Sequence, residues 1–290
     1  MHYYNECDPK AAAWLRELIR VGVIPAGDVD ERDIRKVVAG DLRAYRSAHF
    51  FAGIGGWAEA LRLAGWPDEW PVWTGSCPCP PFSKAGRKAR CPQCGGKPMP
   101  HPYQTGVFAC IPCGHEWYAD GRHLWPEFRR LIAECNPPIV FGEQVAGRDG
   151  LVWLAGMRAT LEVLGYAVGS ADLCAAGVGA PHVRQRLFWV ADRRTDPVEL
   201  GDANGGGCPE GQAVSRCAAA GAGVPSPLDF WGQYAVANFR DGKARRFESR
   251  SFPLVDGLPG RVAALRGYGN AIVPQVGAGF VKAYRAARGI

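Results

Sequence analysis

The chain has 290 residues, of which 47% are hydrophobic and 21% charged, and a net charge of +6. This composition suits an α/β domain, or such a core with a small accessory module, and excludes a disordered chain. No stretch reaches the roughly eighteen consecutive apolar residues of a membrane span, and MHYYNECDPK has neither the basic nor the apolar region of a signal peptide. A cytoplasmic protein without a membrane partner is therefore expected. In that compartment eleven cysteines point to metal ligation or catalysis before disulfides. The positive charge suits a polyanionic partner, although a surplus this small does not require one.

HYYNE (2–6) reads as a short strand, followed by an Asp-Pro helix start and an amphipathic run that stops at Gly22. VIPAGDV is a second strand entering a loop. AHFFAGIGG (48–56) is a third, running into a glycine turn and the helix WAEALRLAG, which Gly65 stops. PVWTGSCPC is an apolar strand, HLWPEFRRLIAECNPP a helix ended by two prolines, IVFGEQV a strand, and LVWLAGMRATLEVLGYA a further helix. PHVRQRLFWVA (181–191) carries a strand at its end. Strands alternating with helices predict a parallel sheet covered on both faces. Residues 196–227 are rich in Gly and Ala with little periodicity and read as loop within a small variable region ending near 260.

CPQC (91–94) and CIPC (110–113) are two Cys-x-x-Cys pairs with fifteen residues between them, each followed by glycine. Tight knuckles of this kind point two thiolates each at one ion. A structural tetrahedral Zn²⁺ on Cys91, Cys94, Cys110 and Cys113 is expected. His115 is a possible substitute ligand, but four thiolates leave it no need to be one. The ribbon is basic before its first knuckle (KAGRKAR) and aromatic after its second (HEWY), which suits either a nucleic-acid contact or a solvated hairpin.

FAGIGG places glycines where a ligand could approach the backbone at a helix N-terminus. After it come PCPPFS (78–83), GEQV (142–145), PHVRQR (181–186) and RGYGNAIVPQ (266–275). This ordered set resembles the DNA cytosine-5 methyltransferases, over most of residues 48–195 and 262–290. The resemblance implies an S-adenosylmethionine-dependent α/β sheet of Rossmann type acting on double-stranded DNA, and a monomer is expected. It makes Cys79 the nucleophile, Glu143 the acid, and Arg184 and Arg186 the holders of the base and of the carboxylate. It assigns Phe51, Gly53, Ile54, Gly55, Gly56, Pro78 and Asn270 to the cofactor. The chemistry agrees: carbon 5 of cytosine is a poor nucleophile until a thiolate adds at carbon 6, and a buried acid at ring N3 drains the resulting charge. Cys77 is the rival nucleophile and is assigned to packing, as are Cys135, Cys174 and Cys7. An RNA substrate within the same chemistry, or an idle zinc-ribbon DNA-binding regulator, are the alternatives.

One segment is out of the family's order. Two strands that should follow the helix after the glycine turn do not fit between Gly65 and Pro71. NECDPKAAAWL and IPAGDVDERDI, upstream, resemble the missing motifs and make Glu6 and Asp28 part of the cofactor site. The chain order then becomes family strands 2, 3, 1, 4. Because parallel crossovers are right-handed in about 98% of cases, either the helix at 57–65 changes face or one crossover is left-handed. Three family residues also differ, giving Pro80, Gln144 and His182 here. The expected domains are a catalytic unit at 1–195 interrupted by the ribbon at 87–120, a small target-recognition region at 196–261 containing FRDGKARRFESR, and a returning segment at 262–290. Cys208 and Cys217 lack partners for a second metal site.

Overall fold

The computed structural model describes residues 1–78, 90–91, 93–100, 107–118, 124–180, 182–193, 234–238, 244–248 and 271–290. In chain order its main elements are β1 (His2–Asn5), α1 (Pro9–Arg20), β2 (Gly27–Asp30), α2 (Ala39–Leu42), β3 (Ser47–Phe50), α3 (Gly56–Leu63) and β4 (Trp73–Gly75). The ribbon strands β5 (Pro98–Pro100), β6 (Val107–Cys110) and β7 (Glu116–Tyr118) follow. Then come α4 (Trp125–Cys135), β8 (Ile139–Val145), α5 (Arg148–Val163), β9 (Ala167–Cys174), β10 (Gln185–Asp192), β11 (Tyr234–Asn238), β12 (Ala244–Glu248) and α6 (Pro274–Arg288).

Seven strands form one sheet in the order β2-β1-β3-β4-β8-β10-β9. All neighbours from β2 to β8 are parallel, whereas β10 runs antiparallel to both β8 and β9. The sheet is thus mixed, a correction to the parallel sheet expected from alternation. Periodicity reports which residues share a face but carries no information on strand direction.

Strand alternation sorts the core into two layers. Tyr3, Ala48, Phe50, Trp73 and Val140 pack on one face with Ile34, Leu42, Phe128, Leu131 and Met157, covering it with α2, α4 and α5. On the other face Phe141, Phe188 and Val190 meet Trp57 and Leu61 of α3 and Val276 and Phe280 of α6, while Tyr4 meets Leu15 of α1 and Ala58 of α3. Local signals build the helices. Asp8 caps α1 by accepting from Lys10 N (2.8 Å) and Ala11 N (3.2 Å), and proline opens its first turn.

The sheet places β3 between β1 and β4, so the upstream segment fills the two positions left of β3, as the rearranged order requires. It also settles the crossover. The β1–α1–β2 and β3–α3–β4 connections run in opposite directions across the sheet, yet α1 and α3 cover the same face. They therefore differ in hand. The β2-to-β3 and β4-to-β8 connections move in the same direction as β3–α3–β4 but lie on the opposite face, so they share the hand of β1–α1–β2. With the three taken as right-handed, β3–α3–β4 is the left-handed one.

Cys7 is exposed, not packing filler, while Cys77 is buried and Cys135 and Cys174 are half-buried. No helix among the described residues is long and apolar enough to cross a membrane.

Candidate active site and metal centre

The carboxyl ends of β1, β3, β4 and β8 lie side by side, and Glu6, the glycine turn, Pro78 and Glu143 stand at or just past them. After β3 the chain turns sharply, with Phe51 (φ 52°), Gly53 (φ 55°) and Gly55 (φ 81°) in left-handed conformations, before α3 begins. Glycine accepts this backbone freely, but an aromatic residue there costs about 1–3 kcal/mol. Phe51 is held by edge-on packing against Phe128, at 6.0 Å and 86°. Phe51, Gly53, Ile54 and Gly56 are half-buried and Gly55 is buried.

Glu6, just past β1, reaches across to this turn. Its Oε2 accepts from Gly53 N at 2.7 Å, and its Oε1 accepts from Asp8 N at 2.8 Å. The residue drawn from the N-terminus is therefore joined to the glycine turn by a charge-assisted bond. Each oxygen retains a second lone pair, which fits a diol approaching from the open side. Asp28 is not brought into this group. It is exposed at the second residue of β2 and accepts from Tyr45 Oη at 2.6 Å. The carboxyl end of β2 is instead held by Asp30, which accepts from Tyr3 Oη (2.6 Å) and pairs with Arg32 (2.7 Å).

Glu143 sits near the end of β8, opposite Phe188 of β10 and one residue beyond the Gly75–Gly142 pair of β4 and β8. It is 6% exposed. Burial raises its pKa, against the opposing pull of Arg186 and Arg184. Arg186 Nε lies 2.8 Å from Oε1, close enough for an ion pair but off the line of a hydrogen bond, so Oε1 has no aligned donor. Arg184 turns its Nη2 to Ala271 O at 2.7 Å. Desolvation lowers its pKa, with Arg186 adding to the effect. The two arginines thus divide the work: Arg186 contacts the acid, and Arg184 ties β10 to the segment entering α6. Gln144 Nε2 donates to Cys77 O at 3.4 Å, linking the acid strand to the strand before Pro78.

Pro78 is exposed. Cys79, Pro80 and Asn270 lie outside the described residues, as do Cys208, Cys217 and the basic run KAGRKA. Ser76 was not singled out by any motif. Its hydroxyl accepts from Trp57 Nε1 at 3.0 Å, and it follows β4, whose last residue, Gly75, pairs with Gly142 next to Glu143. The available signal was its place at the end of β4, beside the acid.

The ribbon brings its four cysteines together. Their sulfurs lie within 4.8 Å of one another, with Cys94–Cys110 at 3.3 Å, Cys94–Cys113 at 3.4 Å and Cys91–Cys113 at 3.7 Å. A tetrahedron of Zn–S bonds of about 2.3 Å puts sulfurs about 3.8 Å apart, so the cluster fits zinc with a small expansion. The two knuckles repeat one geometry. Gly95 N donates to Cys91 O and Gly114 N to Cys110 O, each at 2.8 Å, with both glycines left-handed (φ 71° and 69°). His115 contributes its carbonyl to Cys110 N, closing the second knuckle.

No protein-family profile matches the chain, and no curated protein is similar to it in sequence. Solved structures with a similar fold include the Dnmt2 methyltransferase of S. pombe, at 13% identity over the whole of both chains and a TM-score of 0.47. A DNMT2 variant from Spodoptera frugiperda matches at 13% identity over 67% of this chain and 42% of that one, with a TM-score of 0.40. A DNA modification methyltransferase encoded within an E. coli prophage matches at 13% over 66% and 46%, with a TM-score of 0.35. No activity is carried over from these likenesses.

Proposed function

We propose that the chain is an S-adenosylmethionine-dependent methyltransferase that acts on carbon 5 of cytosine in double-stranded DNA. The observation that carries this reading is Glu143. A carboxyl group buried at the carboxyl edge of the sheet, with its pKa raised by burial and an arginine against it, is suited to hold its proton to higher pH than an exposed carboxyl does. It lies on the strand next to the one that leads into Pro-Cys.

Cys79 adds as a thiolate to carbon 6 of a cytosine turned out of the helix, where the ring face is no longer covered by stacking. The C–S bond forms as the ring electrons move toward N3, and Glu143 supplies the proton there. Arg186 holds the carboxyl group, and Arg184 offers a cation near the base. Carbon 5 then takes the methyl group as its bond to the sulfonium sulfur breaks. Carbon 5 loses its own proton to water, N3 returns its proton to Glu143, and the C–S bond to Cys79 breaks to return the thiolate. S-adenosylmethionine supplies the methyl as a sulfonium, and the FAGIGG turn, Glu6 and Asn270 would hold it. Cys91, Cys94, Cys110 and Cys113 would hold a closed, structural Zn²⁺.

Methyl-labelled S-adenosylmethionine mixed with a random-sequence duplex DNA library, or with bulk tRNA, tests the reading. Label is expected in 5-methylcytosine of the DNA, and it is expected to vanish with Cys79→Ser but persist with Cys77→Ser. Label in tRNA alone would move the substrate to RNA. Transfer to neither polymer would overturn the reaction itself.

A further inference from the structure

We propose that the zinc ribbon is a DNA-contacting arm, and that its face carrying Arg90 and Lys97 binds backbone phosphates of the duplex that delivers the target base. The inference rests on the reading of double-stranded DNA as substrate. It gives a role to a module that the methyl transfer itself does not use.

Charge is the first observation. Residues 84–118 hold five Lys or Arg and one Glu, a surplus of four within a chain whose total is +6. Arg90 and Lys97 are exposed, and neither pairs with a carboxylate among the described residues. On the body Arg16, Arg20, Arg35 and Arg62 each meet a carboxylate at 2.6–2.7 Å. Cations with no carboxylate beside them are the ones that gain most from a phosphate, because binding releases the counterions condensed on the duplex.

The fold gathers these two cations and sets the acid apart. Arg90 Nη1 donates to Gly95 O at 3.2 Å, and Cys91 N donates to Gly96 O at 3.1 Å, so Arg90 is drawn over the first knuckle. Lys97 directly follows that knuckle, and its carbonyl accepts from Ile111 N at 3.3 Å. The small sheet runs in the order β5-β6-β7. Lys97 leads into β5 at one edge, Glu116 opens β7 at the other, and β6 separates them. Because the Lys97 carbonyl faces the β6 side, alternation turns Pro98 and Pro100 outward on β5. Two prolines leave that edge no N–H for an added strand, which disfavours a protein partner there and leaves charge as its means of recognition.

The arm is also attached at the right place. It leaves the large sheet after β4, whose Gly75 pairs with Gly142, the residue before Glu143. It returns at Trp125, the first residue of α4, whose ring meets Trp189 at 6.2 Å, and Trp189 is the β10 partner of the same Gly142. Both ends of the ribbon segment are therefore fixed beside the acid that would serve the flipped base. Phosphate contacts made from there position the duplex and carry no sequence information.

The test uses the full zinc-loaded chain, its Arg90→Ala/Lys97→Ala double variant and the charge-keeping Arg90→Lys/Lys97→Arg variant. Affinity for a fluorescent random-sequence duplex is measured over a series of salt concentrations, with zinc content determined on the same preparations. The double alanine variant is expected to keep its zinc, to bind about 10–100-fold more weakly at about 0.1 M salt, and to show a log–log salt slope shallower by about 2. The charge-keeping variant is expected to restore the slope. A double alanine variant with the parent's affinity and slope would overturn the proposal. So would loss of zinc with the slope unmoved, which would assign the two cations to neutralising the thiolate cluster. Failure of the underlying reading looks different: the parent itself would then bind bulk tRNA and not the duplex.

Discussion

Replacing Glu143 by glutamine separates activity from stability. Glutamine keeps the shape and neutral charge of the protonated acid, but it can neither give up a proton nor ionise. A general acid positioned at the reacting ring is worth about 10²–10⁴-fold, or roughly 3–5.5 kcal/mol of barrier, so methyl transfer should fall by that factor. Stability should move the other way at neutral pH. The folded protein holds the Glu143 proton to higher pH than the unfolded chain does, because burial opposes the charge more strongly than the arginines favour it. Between the ordinary value of 4.5 and the raised one, the folded state therefore binds more protons. In that window the parent loses about 1.4 kcal/mol of stability per pH unit, and the loss is complete above the raised value.

Glutamine removes this loss, so the two unfolding free energies should diverge steadily as pH rises through the window. Urea unfolding at intervals from pH 4.5 to 8, alongside label transfer on the same preparations, gives both quantities. Transfer within about threefold of the parent would refute the acid's role, since that is far below what general acid catalysis supplies. Parallel stability curves over the whole range would refute the claim that burial dominates at Glu143.

Two further outcomes follow from the site's margins. The purified chain should carry one zinc ion by elemental analysis, and Cys94→Ser should reduce that content and lower the ribbon's thermal stability, since metal binding to a closed thiolate site is folding free energy. Glu6→Ala removes the carboxylate that accepts from Gly53 N and Asp8 N. S-adenosylhomocysteine, measured by calorimetry, should bind it about 10–100-fold more weakly, corresponding to about 1.4–2.7 kcal/mol.

The elements that could be read from the chain are those whose signal is local. The apolar run Ile139–Val145 and the Asp8-capped α1 appear where their patterns place them. β9 was not legible, because AVGSADLC on a half-exposed sheet edge shows little regular burial. The reversal of β10 was hidden for another reason: direction is decided by which neighbours it pairs with, and no residue of its own reports that. The same division holds at the site. Glu143, Arg186 and the four ribbon cysteines belong to spaced motifs, so the chain singles them out, and the fold sets Arg186 against Glu143 and the four sulfurs together. Ser76, whose hydroxyl accepts from Trp57 Nε1, belongs to no spaced motif and is set beside the Glu143 strand only by the pairing of β4 with β8.

The left-handed connection shows what fixes the arrangement of this fold. β1, α1 and β2 precede β3 in the chain, yet β1 lies beside β3 and Glu6 still reaches the glycine turn after it. Had α3 crossed to the other face to restore the usual hand, its first turn would have left the Glu6 side of the sheet, and Trp57 would have lost Ser76. The unusual link is held in place by its own contacts. Between α3 and β4, Trp66 and Trp70 meet edge-on at 5.5 Å, and Trp66 Nε1 donates to Trp70 O at 3.2 Å. Arg285 of α6 lies 5.7 Å over the Trp70 ring and donates to Ala64 O and Gly65 O at 2.9 and 2.8 Å. Handedness is a preference of free connections, and these contacts offset it where the connection is pinned from both sides.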